Sequence, residues 1–204
     1  MRRASHRGIL SSHPKEKERP QLSRPRVKIL IDADTIHRRV TELGQAITRD
    51  YAGHDLVIVG VLKGSVIFLA DLTRRIEIPH ELGFVHASSY RGETTSAGSL
   101  SLSVEALPPV EGRDVLLLDD IFDTGRTLEG LILEIGKHRP RTLKTGTLLW
   151  KEGRSEVSIT PDYHGFMIPD EFVVGYGLDY NDRFRHLPYI GIWSGDEADD
   201  VTSA

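Results

Sequence analysis

The stretch Val115–Leu128, VLLLDDIFDTGRTL, gathers the residue types most able to do chemistry. Four apolar residues, Val115 to Leu118, have the composition of a strand buried on both faces. Two carboxylates, Asp119 and Asp120, stand at its end, and Ile121-Phe122-Asp123-Thr124-Gly125-Arg126-Thr127 then leads into an apolar-periodic helix. Ionised carboxylates only accept hydrogen bonds, so an adjacent pair suits the vicinal hydroxyls of a ribose, or a divalent metal ion. Asp123 to Thr127 supply consecutive backbone N–H groups, two threonine hydroxyls and a helix N-terminus, the parts of a nest for a phosphate monoester. Gly125 lets the backbone come close to such a ligand. Hydroxyl acceptors at one end and a phosphate nest at the other call for a ribose 5-phosphate.

These groups need a scaffold that brings several turns to one edge. Val27–Ile31 reads as a short edge strand, and Asp32 or Asp34 can cap the helix after it. Ile36, Val40, Leu43, Ile47 and Tyr51 give that helix one buried face, and Gly53 is its stop. Asp55–Leu62 is a second continuous apolar run, hence a central strand. It ends in Lys63-Gly64-Ser65, ahead of a helix over VIFLADLTRRI; the order of Lys, Gly and Ser is not that of a Walker A loop. Glu81–Tyr90 and Ser99–Val104 read as strands joined by the polar, glycine-flanked segment Arg91–Gly98, a mobile lid hairpin. Leu128, Leu131, Ile132 and Ile135 carry the helix after the opening stretch. Leu143–Trp150 is a further strand with Lys151 just past its end, Ile159–Met167 contains another, and Phe172–Gly177 is the last. Strands alternating with helices predict an α/β fold with a mostly parallel twisted sheet flanked by helices on both faces.

The chain of 204 residues has room for one domain with tails. Residues 1–25 are expected to form a disordered basic arm, 26–193 the domain, and 194–204 an acidic disordered tail. Ile9-Leu10 is too short for the core of a secretory signal, although the first half of the arm faintly resembles an organellar transit peptide. Residues 1–26 carry eight Lys/Arg against two acids, which leaves the remainder near −10. An acidic body argues against a nucleic-acid partner. No apolar run approaches the ~18 residues that cross a bilayer, so no membrane partner is expected. With no cysteine there is no disulfide framework and no thiolate metal site, in agreement with a cytoplasmic location.

LLLDDIFDTGRTL resembles the motif with which type I phosphoribosyltransferases bind 5-phosphoribosyl 1-diphosphate (PRPP). VGVLKGS, SSY, LLWK and IPDEFVVGYGLDYNDRFRHLPYIG are similar to the hypoxanthine (hypoxanthine-guanine) branch, and the likeness covers about residues 27–193. It implies the type I fold with a small hood and a flexible lid hairpin. The activity it implies is purine salvage, with hypoxanthine or guanine displacing diphosphate from PRPP to give IMP or GMP. By this resemblance Asp119 and Asp120 hold the ribose hydroxyls, directly or through magnesium waters. Thr124, Gly125, Arg126 and Thr127 join Asp123 around the 5-phosphate, and Asp123 is the catalytic base at purine N7. Lys63 and Gly64, whose Leu–Lys peptide is often cis in the family, and Arg185 contact the diphosphate. Ser89 and Tyr90 belong to the lid. Lys151 donates to the 6-oxo group and rejects adenine, Phe172 stacks on the base and the Val173 backbone reads its edge. Asp179, like Asp119 and Asp120, binds Mg2+, the implied cofactor, and a homodimer or homotetramer is implied. The family commonly has Glu-Asp at the acid pair; Asp119 is one methylene shorter. The alternatives are an RNA-binding regulator of pyrimidine-attenuator type on the same fold and a xanthine-guanine phosphoribosyltransferase.

Overall fold

A computed structural model describes residues 27–89 and 100–195. The elements are β1 Val27–Ile31, α1 Ala33–Asp50, β2 Leu56–Leu62, α2 Val66–Thr73, β3 His80–Ser89, β4 Leu100–Ser103, β5 Asp114–Phe122, α3 Arg126–Gly136, β6 Thr142–Lys151, β7 Tyr163–Ile168, β8 Val173–Val174 and β9 Ile190–Trp193. The main sheet has the order β4-β3-β2-β5-β6-β7. Its strands are parallel except β4, which closes an antiparallel hairpin with β3. The two continuous apolar runs, β2 and β5, lie side by side at the centre, as strands covered on both faces must.

Alternation along these two strands divides the core. Ile58, Leu116 and Leu118 face α1 and α2, whereas Val57, Val59, Val115 and Leu117 face α3. The expected buried stripe of α1 is present: Ile36, Val40, Leu43 and Ile47 are almost fully covered, and Tyr51 with them. Asp32 caps the helix by accepting from the Thr35 N–H at 2.8 Å. Since β2 runs on to β3 on one side while β5, β6 and β7 build out on the other, the order reverses between β2 and β5. Ligands of open α/β sheets bind at the carboxyl ends of the strands beside such a reversal.

A second, three-stranded antiparallel sheet, β1-β9-β8, forms the hood. β1 is an edge strand as expected, but of this sheet. β9 was not anticipated, being four residues long and following Pro188 closely. Phe172–Gly177 is a strand only at Val173–Val174; Gly175, Tyr176 and Gly177 all have positive φ and turn the chain away. β5 continues through both acids to Phe122, and Lys151 is the last residue of β6. The helix after Ser65 ends at Thr73, short of the Arg-Arg-Ile. The β3–β4 pairing agrees with the hairpin, while Tyr90–Ser99, residues 1–26 and residues 196–204 lie outside the described residues.

The far end of β5 is anchored by charge. The Asp114 carboxylate is buried and accepts from Arg141 Nε at 2.9 Å, Thr142 Oγ1 at 2.7 Å and His54 Nδ1 at 2.7 Å. The Arg141 guanidinium, helped by Thr142 and His54, holds this carboxyl well below the usual carboxylate range. A folded-state pKa below the unfolded value gives stability that is present above about pH 4 and lost as pH falls towards the folded value. Asp114→Ala should lower stability by about 1–3 kcal/mol at pH 7, because it removes the buried acceptor shared by Arg141, Thr142 and His54. Urea unfolding at pH 7 and at pH 3.5 should show that penalty shrinking in acid; an equal penalty at both pH values would contradict the assignment.

Candidate active site

The site is built where β5 outlasts β2. Pairing between them ends at Gly60–Leu118, while β5 stays paired to β6 through Phe122–Trp150. The acids therefore sit beside a gap. On its other side the chain leaves β2 through a cis Leu62–Lys63 peptide into Gly64. A cleft of about 320 Å³ fills the gap, lined by Lys63, Gly64, Asp119, Asp120, Asp123–Gly125, Thr127, Thr147, Asp179 and Arg185 among others. A second cavity of about 260 Å³ shares Asp120, Ile121, Asp123 and Asp179 with it, and adds Lys151, Phe172, Val173 and Leu178.

Asp119 is buried, and the Asp120 N–H donates to its Oδ1 at 2.9 Å. Burial pushes the Asp119 carboxyl well above the usual range, and the neighbouring Asp120 charge pushes it further. Burial raises Asp120 as well. A divalent cation would reverse that penalty. Across the sheet from Asp119, Thr147 places a buried hydroxyl without a hydrogen-bond partner among the described residues on the cleft wall. Both observations fit a site whose remaining partners arrive with a ligand. Among the described residues no group of three or more His, Cys, Asp or Glu side chains is placed to hold a metal by itself. A hard cation here would draw its other oxygens from substrate and water, as Mg2+ commonly does.

Gly125 is the N-cap of α3, with φ +83°, and a Cβ there would lie 2.4 Å from Val157 Cγ2. No side chain caps α3, so its first-turn N–H groups are open to an anion from the cleft. Thr124 O accepts from the Glu156 N–H at 2.9 Å and ties the loop down. Arg126 contributes no side chain to the cleft wall; its guanidinium pairs with Glu156. Opposite, Arg185 donates to Gly177 O at 2.6 Å and pairs with Asp179 at 2.6 Å, and Lys63 Nζ lies 3.6 Å from Asp182 Oδ1. The Tyr176 hydroxyl donates to Asp71 Oδ2 on α2 at 2.7 Å, fixing the loop that carries Asp179.

In the second cavity Lys151 is buried, with Nζ 3.3 Å from Asp123 Oδ2 and 3.2 Å from Asp170 Oδ1. Arg154 Nε donates to Asp123 Oδ1 at 3.0 Å. Phe172 is 48% exposed, large for an aromatic side chain on a cavity wall. Its ring stands edge-on to Tyr180 and Trp193, each 5.7 Å away, which stack on one another at 3.9 Å. Ser89 ends β3, and its partner in the expected lid, Tyr90, lies outside the described residues. Apart from Arg126, the remaining expected residues meet around the two cavities. Asp170, Arg154, Thr147, Tyr180 and Trp193 were not singled out from sequence. Asp170 was legible only as a carboxylate two residues before Phe172.

Comparison with known proteins agrees with this geometry. Residues 28–181 match the phosphoribosyl transferase domain family. The chain is 46% identical over 165 residues to the bifunctional protein TilS/HprT of Listeria innocua, covering 81% of this chain but only 26% of that protein. It is 45% identical to the hypoxanthine-guanine phosphoribosyltransferase of Lactococcus lactis, covering 81% and 90% of the two chains. The crystal structure of a hypoxanthine phosphoribosyltransferase from Staphylococcus aureus superposes with a TM-score of 0.76 at 41% identity, over 82% and 91% of the chains.

The two ends of α3 separate a required glycine from a dispensable one. Gly125→Ala should lower stability by about 1–3 kcal/mol through its positive φ and its clash with Val157. Gly136→Ala, with nothing within 4 Å, should raise it by about 0.5–1 kcal/mol. Urea midpoints that shift in the same direction for both variants would contradict this.

Proposed function

The chain belongs to the phosphoribosyl transferase domain family, and from that premise we propose that it is a purine-salvage enzyme of the hypoxanthine branch. It transfers the 5-phosphoribosyl group of PRPP to hypoxanthine, and to guanine, and releases diphosphate. The observation that carries this reading is the shared wall of the two cavities. Asp120, Ile121, Asp123 and Asp179 separate an anion nest from a pocket with a buried lysine and an exposed aromatic face. The relatives named as hypoxanthine phosphoribosyltransferases favour it over an RNA-binding regulator.

The 5-phosphate takes the open N–H groups at the start of α3, with the Thr124 and Thr127 hydroxyls beside it. Asp119 and Asp120 accept from the ribose hydroxyls. Lys63, the Gly64 backbone and Arg185 receive the diphosphate. Asp119, Asp120 and Asp179 are the residues that would hold Mg2+, whose contribution is to neutralise charge on the departing diphosphate. The base lies against Phe172, its edge at the Val173 backbone and its 6-oxo group on the Lys151 ammonium. Adenine presents a donor amino group there and is rejected. The C1–O bond to diphosphate breaks as N9 bonds to C1. The purine gains positive charge and loses its N7 proton, which the Asp123 carboxylate accepts. Ser89, Tyr90 and the segment after them serve as the lid that keeps water from C1. A homodimer or homotetramer in the cytoplasm is part of the same reading; the described residues contain no helix long and apolar enough to cross a membrane.

Incubation with PRPP, Mg2+ and each base in turn should yield IMP from hypoxanthine and GMP from guanine, with little AMP from adenine. Absence of any nucleotide product would overturn the reading. Asp123→Asn should lower kcat by about 10²–10⁴-fold with the KM for PRPP little changed. Lys151→Ala should weaken discrimination against adenine, and an unaltered preference would remove Lys151 from that role.

A further inference from the structure

Four side chains close a ring of charge at the purine end of the cleft. Lys151 Nζ reaches Asp123 Oδ2 at 3.3 Å and Asp170 Oδ1 at 3.2 Å. Arg154 repeats both contacts, Nε to Asp123 Oδ1 at 3.0 Å and Nη1 to Asp170 Oδ2 at 3.4 Å. Each carboxylate is thus shared by both cations through different oxygens. Lys151 is the buried member; the Arg154 and Asp170 side chains are about half exposed. Neither Arg154 nor Asp170 lines either cavity, so neither is placed to touch a substrate. Both are held by local structure: Arg154 follows the turn at Gly153, with φ +69°, and Asp170 follows Pro169 after β7.

An ammonium has three donors; that of Lys151 hydrogen-bonds Asp170 and lies 3.3 Å from Asp123, so these contacts engage two of the three at most. The third is left for a base. Were Lys151 the only cation, two carboxylates would compete with the 6-oxo group for one Nζ, and drawing it towards the base would strip charge from both. Arg154 removes that competition, because its fork neutralises the same two carboxylates from the opposite side.

We propose that Arg154 and Asp170 are positioning residues, which hold Asp123 and Lys151 in register while leaving one Lys151 donor free for a 6-oxopurine. The proposal rests on the purine-transfer reading above. Arg154 keeps the Asp123 carboxylate oriented through Oδ1, and Asp170 keeps the ammonium beside Asp123. The ring thereby sets the affinity for the base and leaves PRPP binding nearly alone, since it shares only Asp123 with the phosphate cleft, while Thr124, Gly125, Thr127 and Arg185 lie outside it.

The test is steady-state kinetics on the full chain with PRPP, Mg2+ and hypoxanthine. Arg154→Gln leaves two acids on one lysine and should raise the KM for hypoxanthine on the order of tenfold, the worth of one charge-assisted hydrogen bond, with the KM for PRPP within about twofold. Adding Asp170→Asn removes the surplus acid and should return the hypoxanthine KM most of the way to wild type. Arg154→Lys keeps the charge and should be clearly milder than Arg154→Gln. A merely structural role for Arg154 would make the double variant as poor as the single one or worse. An unchanged hypoxanthine KM in Arg154→Gln, no recovery in the double variant, or Arg154→Lys as impaired as Arg154→Gln would each overturn the proposal. Wild-type protein inactive with every base would instead overturn the purine reading.

Discussion

Beyond Leu118, strand β5 has a neighbour on one side only, and the functional architecture depends on that asymmetry. Continued pairing with β6 keeps Asp119 and Asp120 on a rigid strand, while the loss of β2 opens the cleft they face. The loops that fill the margin leave no room for side chains. A Cβ at Gly64 would sit 1.6 Å from Asp120 Oδ2, and one at Gly177 would sit 2.2 Å from Gly64 O. The Lys63–Gly64 turn is thereby packed against the Asp120 side chain and, backbone against backbone, against the loop bearing Asp179 and Arg185. A shift in one is transmitted to the others, because packed interiors yield little.

The same strand separates stability from function by how it treats its carboxylates. At its start, Asp114 is buried with Arg141, Thr142 and His54 around it, a satisfied anchor. At its end, Asp119 is buried and Asp120 half-buried, each with few partners, and their surroundings disfavour their charge. Such unmet demand is costly in the free protein and is relieved when cations and hydroxyls arrive with a ligand. Just past the strand Asp123 is in a third condition, partly exposed yet held by Lys151 and Arg154.

Much of this was legible in the sequence because it is local. The apolar runs of β2 and β5, the stripe of α1 and the Asp-Thr-Gly turn into α3 are each set by neighbouring residues, and they appear close to where periodicity and capping place them. What was not legible depends on distant partners. Phe172–Gly177 has the composition of a strand, but β9 reaches only its first half and the two glycines turn the rest. Arg126 stands in the phosphate motif, yet Glu156, thirty residues on, takes its side chain. Asp170 and Arg154 look like surface charges until β6 and the segment after β7 bring them around Lys151. β9 itself is too short to announce a strand.

The proposed activity requires one orientation of the nucleotide, with phosphate on the start of α3 and a 6-oxopurine across Asp123 against Phe172. A crystal structure of the protein with IMP measures it directly. The 5-phosphate is expected within hydrogen-bond distance of the N–H groups following Gly125, the purine ring face to face with Phe172, and the 6-oxo oxygen on Lys151 Nζ. A nucleotide bound with its base in the α3 nest, or with its purine away from Lys151 and Phe172, would contradict it.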